Sequence, residues 1–339
     1  MKLFSCFILI AGAYAQQLVG VSTVGVKNTK RIITVAQQGG ADYTTIQAAA
    51  NYAQPGDLIQ VRAGTYSEAP VLWVNGQPNA AIVFQNYPGE HPIIKPAGTT
   101  WDSAVWVYGN WIYLTGFEIT NGWDGVVVMG SHNAVVGNYI HNNGDSCDVN
   151  QYCGQGVIIV STTDSLISGN TIQSNGLRNN SPSHMHGIYL SDYYACNCMQ
   201  NFSIMQNSVS NHGGAAIHSW DQTLAKSNVL ITGNTLTNNV YEFILTHTGF
   251  TTITNNVVVH QSHPPTDSTT DSLIWLEYDL NVSWQNNQFT FGVTSPSSYL
   301  LYRPSGDNGL QNINFSGNTW NLPSPYVLTD SMVNAAMLQ

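Results

Sequence analysis

The sequence predicts an all-β protein, a parallel β-helix solenoid with a short helix near its N-terminus. Two interleaved repeats carry the prediction. The first has the form small-Asn-x-apolar: GNYI at Gly137–Ile140, GNTI at Gly169–Ile172, QNSV at Gln206–Val209, GNTL at Gly233–Leu236, NNVV at Asn255–Val258, NNQF at Asn286–Phe289 and GNTW at Gly317–Trp320. GFEI at Gly116–Ile119 is an earlier copy. The last residues of successive copies lie 21 to 37 apart. The short spacings fit a coil of about twenty-two residues, and the long ones fit a coil with an insertion. The second repeat falls between copies of the first: GVVV from Gly125, GVIIV from Gly156, GIYLS from Gly187, AIHS from Ala216, FILT from Phe243, LIWL from Leu273 and LLY from Leu300. Each is a short run rich in β-branched or aromatic residues and bounded by turn residues, as strands are. Two or three such strands per coil stack into a solenoid. The recurring asparagines are read as turn residues and as an internal ladder, each amide bonding the next coil, and not as a site.

The elements follow in order. Met1–Ala15 has Lys2, a short apolar run and an Ala13-Tyr14-Ala15 end, the pattern of a cleaved secretory signal. Residues 16–31 form an N-terminal extension, 32–326 the β-helix domain and 327–339 a C-terminal tail. The segment Thr45–Tyr52 carries an apolar helical patch, followed by Pro55-Gly56-Asp57 and a strand.

Composition narrows the function classes. Charged residues make up 8% of the 339, the net charge is −10, and there are nine Lys and Arg. A chain this poor in cations has little with which to neutralise phosphates, so nucleic acid and anionic membranes are not expected as partners. No apolar run is long enough to span a bilayer. A secreted, extracellular monomer is expected. Four cysteines remain after the signal: Cys147, Cys153, Cys196 and Cys198. An even count in a secreted chain reads as two disulfides. Cys196 and Cys198 are too close in sequence to favour each other, so each is expected to pair with Cys147 or Cys153; zinc is the weaker reading of that spacing. Sequons at Asn201, Asn281 and Asn314, with Asn179 a weaker one, fit a glycosylated surface.

The stretch YTTIQAA…PGD…GTY within Asp42–Glu68 resembles the opening of secreted right-handed parallel β-helix proteins, the pectin-lyase-like superfamily. FQNYPGEHPIIKP at Phe84–Pro96 and WIYLTGFEI at Trp111–Ile119 continue it. The resemblance implies a right-handed solenoid whose first coil is capped by the short helix. It also implies an extracellular protein acting on or binding polysaccharide: a lyase, a glycoside hydrolase or a non-catalytic binder.

In a β-helix, alternate strand residues point in and out, and equivalent residues stack about 4.8 Å apart. Aligning Val157, Ile188, Ile217, Ile244 and Ile274 as inward places Tyr189 and His218 outward on adjacent coils. It places His186 and Glu242 two residues before the inward position, and Trp220, His247 and Glu277 three after it. Asp192 and Asp221 close their strands. A chain poor in charge thus gathers titratable groups on one face, the pattern of a functional site. The insertions Asn142–Gly154, Ser174–His184 and Gln261–Thr270 are expected to wall a groove there, with Trp123, Trp220, Tyr189, Tyr193, Tyr194 and Trp275 offering surfaces to sugar rings. A lyase acting on a uronate polymer would use His186, Tyr189 and His218 as base and acid. Arg178, or a calcium held by Asp192 and Asp221, would neutralise the substrate carboxylate. A hydrolase would instead pair Asp192 with Asp221, or either of them with Glu242 or Glu277. Trp220, His247, Trp275 and Glu277 are expected to touch substrate in either case.

Overall fold

The computed structural model describes residues 30–97, 102–144, 153–176, 185–192, 199–220, 226–260, 272–292, 299–302, 309–324 and 327–337. It is a parallel β-solenoid of three sheets, with 11, 9 and 10 strands. In each sheet, a strand pairs with the equivalent strand of the next coil. The second repeat forms the nine-stranded sheet, from Val71–Leu72 to Tyr299–Tyr302; the first repeat forms the ten-stranded sheet.

Inward side chains stack in columns. Ile119, Ile140, Ile172, Val209, Leu236, Val258 and Phe289 lie in register on successive coils and are almost fully buried. Val157, Ile188, Ile217, Phe243 and Ile274 do the same in the nine-stranded sheet. Burying each such side chain contributes roughly 1.5–3 kcal/mol. A glycine opens several strands of the second repeat because a Cβ has no room there. At Gly187 it would lie 2.3 Å from Val209 Cγ1 and 2.7 Å from the Ala216 carbonyl of the next coil.

Both ends of the solenoid carry a helix. α1 (Ile46–Tyr52) begins at Thr45, whose Oγ1 accepts from Ala48 N at 3.1 Å. The Glu68 carboxylate accepts the Ile46 and Gln47 N–H groups at 2.7 and 2.9 Å, satisfying first-turn donors that have no intrahelical partner. At the other end, α2 (Asp330–Met337) lies within the segment expected to be a tail. It buries Val333, and Asn334 bonds both Phe315 N and Phe315 O at 2.8 Å. The sequence reading missed it because its apolar face is short.

Buried amides run the length of the fold. Asn138, Asn170, Asn207, Asn234, Asn256, Asn287 and Asn318 occupy equivalent corners. From Asn170 onward, Oδ1 accepts the backbone N–H and the side-chain Nδ2 of the asparagine one coil earlier, at 2.9–3.1 Å. Phe117 N starts the ladder at 3.0 Å, and Asp330 of α2 accepts from Asn318 at its end. A second ladder runs through Asn143, Asn175, His212 and Asn239. His212 stands where an asparagine would. Burial drives its pKa down to about 4, so the ring is neutral: Nδ1 accepts from Asn175 N at 3.3 Å, and Nε2 donates to Ile172 O at 3.1 Å.

The register of the nine-stranded sheet differs from expectation in one coil. Phe243, not Ile244, pairs with Ile217 and points inward, while Ile244 pairs with His218. Every residue of Tyr241–Thr246 is buried, so no alternation marks the phase.

The main ladder has a measurable contribution. Asn207→Ala leaves the buried Asn170 N–H and Nδ2 without their acceptor. A loss of about 2–5 kcal/mol in unfolding free energy is expected from two orphaned donors, read by denaturant titration.

Candidate active site

The outward face of the nine-stranded sheet presents parallel columns of side chains. One runs Ser103, Asp124, Gln155, His186 and Ala215 at the start of each strand. It is a hydrogen-bonded column in its own right. Ser103 Oγ donates to Asp124 Oδ2 at 3.2 Å, and Gln155 N donates to Asp124 Oδ1 at 2.9 Å. His186 N donates to Gln155 Oε1 at 2.7 Å, and Ala215 N donates to His186 Nδ1 at 3.0 Å. All five residues are buried. Burial pushes the Asp124 carboxyl up to about 7, against the opposing pull of the Gln155 and Gly154 N–H groups and the Ser103 hydroxyl.

This column fixes the proton positions of a histidine pair. A backbone N–H can only donate, so His186 Nδ1 is an acceptor and the ring's proton sits on Nε2. His186 Nε2 lies 2.7 Å from His218 Nδ1. His186 therefore donates and His218 accepts, which leaves the His218 proton on Nε2. The rings are edge-to-face, with centroids 4.3 Å apart. Tyr189 lies in register with His218 on the adjacent coil, its ring 4.9 Å from His218 and 5.3 Å from His186. The three expected residues thus form one cluster, in which Tyr189 is half-buried and both imidazoles are buried. The expected base role does not suit His186, because both its nitrogens are committed. In this arrangement His218 carries its proton on Nε2, the ring nitrogen that does not face His186.

The other expected residues fall differently. Trp275 shares the column of Tyr189 and His218 but lies two coils beyond His218, its ring 5.8 Å from Tyr241. Trp220 and Glu277 share the next outward column with Ser191 and Thr246, and both are half-buried. His247 lies one residue beyond that column in a left-handed turn (φ 54°), stacked on Tyr278 at 4.6 Å. Asp192 is fully buried and accepts from Ser161 Oγ at 3.0 Å. Trp123 is buried.

Glu242 is a correction. The register places it level with Ala216, in the inward column that Gly125, Gly156 and Gly187 occupy on earlier coils. Its carboxylate closes the second amide ladder, accepting from Asn239 N at 3.2 Å and Asn239 Nδ2 at 2.7 Å. It also meets His260 Nδ1 at 3.3 Å, with both side chains fully buried. It does not reach the outward face.

Arg178, Asp221, Tyr193, Tyr194, Cys147, Cys196 and Cys198 lie outside the described residues, as do the signal segment and most of the three insertions. Cys153 is buried and disulfide-bonded. No cluster of metal-ligating side chains occurs among the described residues. Lys226, which the sequence reading did not single out, is fully buried; its Nζ donates to Trp220 O, which also accepts Asp192 N at 3.3 Å. A lone lysine outside both repeats carries no sequence signal of this placement.

Asp124 gives the column a pH signature. Its folded pKa of about 7 lies above the unfolded value of about 3.9. Its contribution to stability is therefore fully present below about pH 4 and is lost as the pH rises through 7. Asp124→Asn keeps the acceptor for Gln155 N and removes the titration. Melting temperature measured from pH 4 to 8 is expected to fall less steeply in that variant than in the parent.

A family model described as the Pel9A-like right-handed β-helix region matches residues 34–186. No curated protein sequence matches. Among solved structures, an alginate lyase from Paenibacillus sp. str. FPU-7 superposes with a TM-score of 0.66 at 16% identity, covering 86% of this chain and 95% of that one. Pectate lyase Pel9A superposes with a TM-score of 0.58 at 15% identity, covering 88% and 79%. PfbA, a surface adhesin of Streptococcus pneumoniae, superposes with a TM-score of 0.57 at 13% identity, covering 84% and 75%. At these identities the superpositions show the fold alone. The resemblance to right-handed parallel β-helix proteins of the pectin-lyase-like superfamily therefore holds, with no single family within it marked out.

Proposed function

We propose that the protein is an extracellular polysaccharide lyase that cleaves a uronate polymer by β-elimination on the outward face of the nine-stranded sheet. The observation that carries this is the Tyr189–His218–His186 cluster with its determined proton positions. Similarity to an alginate lyase and a pectate lyase in fold supports it.

β-Elimination removes the proton at C5 of the uronate, breaks the C4–O4 bond and forms a C4–C5 double bond. The uronate carboxylate must be stabilised as charge moves onto it. Neutral His218, its Nε2–H directed away from His186, is the donor for that carboxylate. Tyr189 is the proton carrier: as the phenolate it takes the C5 proton, and as the phenol it returns that proton to O4. A single carrier requires both atoms on one side of the sugar, so the elimination is syn. The hydrolase reading loses Glu242 from its pair, since that carboxylate faces the interior. Arg178 and a calcium on Asp192 and Asp221 remain candidates for further neutralisation.

Turnover of alginate, polygalacturonate and other uronate polymers, with and without a chelator, tests the proposal. An unsaturated product absorbing in the ultraviolet is expected; reducing ends without that absorbance, or no cleavage, would refute it. Tyr189→Phe and His218→Ala should each lower kcat by roughly 10²–10⁴-fold with a small change in melting temperature. His186→Gln should retain far more activity than His186→Ala. A glutamine can accept Ala215 N–H and donate to His218, as Gln155 accepts His186 N–H one coil earlier.

A further inference from the structure

A third column, on the eleven-stranded sheet, is interrupted at one position. His132, Asp164, Asn201, Asn228, Phe250, Asn281 and Asn312 stand at equivalent turns, all with positive φ. Strand pairing and backbone bonds place them one above the next. Where the column is asparagine it bonds to itself in one direction. Asn201 Nδ2 donates to Asp164 Oδ1 at 2.8 Å, Asn228 Nδ2 to Asn201 Oδ1 at 2.8 Å, and Asn312 Nδ2 to Asn281 Oδ1 at 2.9 Å. Phe250 breaks the run. Among the described residues, Asn228 Oδ1 accepts no hydrogen bond and Asn281 Nδ2 donates none.

Phe250 suits the fold poorly. Its φ of 43° is left-handed, a conformation that asparagine adopts at lower cost than a bulky side chain. The residue is 53% exposed, so burial does not offset that strain. An asparagine here would relieve the strain and join the column. A strained, exposed aromatic residue that costs its neighbours two hydrogen bonds is better explained by a ligand than by folding.

The surroundings define the ligand. A surface pocket at the break is lined by Asn228, Leu230, Phe250, Thr252 and Asn281. Phe250 offers a flat apolar ring. Asn228 Oδ1, an acceptor, lies one coil to one side, and Asn281 Nδ2, a donor, one coil to the other. The two backbones are about 10 Å apart across two rungs. A neutral pyranose matches this: its C–H face lies on an aromatic ring, and hydroxyls on opposite edges both donate and accept. We infer that the Phe250 pocket is a second saccharide-binding site, taking one neutral pyranosyl unit on a sheet other than the one that carries Tyr189 and His218. The inference does not rest on the lyase proposal.

Saturation-transfer NMR with methyl α-D-mannopyranoside, methyl β-D-glucopyranoside and methyl β-D-galactopyranoside tests it. At least one of the three should bind at millimolar concentration, with equal strength to the parent and to the Tyr189→Phe and His218→Ala variants. Phe250→Asn should weaken that binding at least tenfold and raise the melting temperature by about 1–3 °C. A simple packing role for Phe250 predicts the opposite sign for the melting temperature. The inference is overturned if none of the three glycosides binds, if binding survives Phe250→Asn, or if it is lost in the Tyr189→Phe and His218→Ala variants. A melting temperature lowered by Phe250→Asn would overturn it too. So would an intact mass showing a covalent glycan on Asn281 (its sequon is Asn281-Val282-Ser283), because the site would then be filled by its own side chain.

Discussion

Each turn of this solenoid leaves backbone donors at its corners with no strand to receive them, and the fold depends on a neighbouring coil supplying the missing acceptor. Buried N–H groups left unpaired are costly, so the supply must repeat on every coil. Asparagine meets the need best. Its amide accepts from one coil and donates onward, so one residue type serves every rung from Asn138 to Asn318. The ladder then needs an end. Asp330, the first residue of α2, provides it by accepting from Asn318 N and Nδ2. The C-terminal helix is in this sense a cap for the ladder as well as for the apolar core.

The same device builds the candidate site. Asp124, Gln155 and His186 occupy one column and do one job, accepting the backbone N–H of the next coil. Because the job demands only an acceptor, the chemistry of the residue can change from rung to rung without changing the fold. An imidazole in that position gains a consequence that a carboxylate or an amide lacks. Holding Ala215 N–H on Nδ1 commits its proton to Nε2, and that proton then orients His218. A structural hydrogen bond thus sets the tautomer of a residue in the outward column of the nine-stranded sheet.

Much of the architecture is legible in the sequence because both repeats are local. The small-Asn-x-apolar beat marks a turn, a ladder residue and an inward residue within four positions. The helix at Ile46–Tyr52 is legible from its apolar patch and from the Pro55-Gly56-Asp57 that follows. Legibility fails where the cue depends on another coil. Tyr241–Thr246 is buried throughout, so the in-out phase cannot be read, and a slip of one residue carried Glu242 from the interior to the surface in the expectation. The pairing of Tyr189 with His218 matches the expectation, because Ile188 and Ile217, the residues directly before them, are in register and fully buried. The bond from Ala215 N to His186 spans 29 residues, and the placement of Lys226 beneath Trp220 O has no repeat to announce it.

A stack of near-identical rungs also makes exceptions informative. In a globular core, an unusual residue has many neighbours that could account for it. Here each position has two principal ones, one coil above and one below, and the rest of its column states what the fold requires there. His212 in an asparagine ladder passes that comparison, because a neutral imidazole presents the same acceptor and donor pair as an amide. Glu242 passes it by ending a ladder with a carboxylate that accepts both of Asn239's donors. Phe250 fails it: it neither accepts nor donates, and it sits in a backbone conformation that asparagine tolerates better. Of these three residues, only Phe250 leaves the amides above and below it without a bond from its own side chain, and it does so beside a surface pocket.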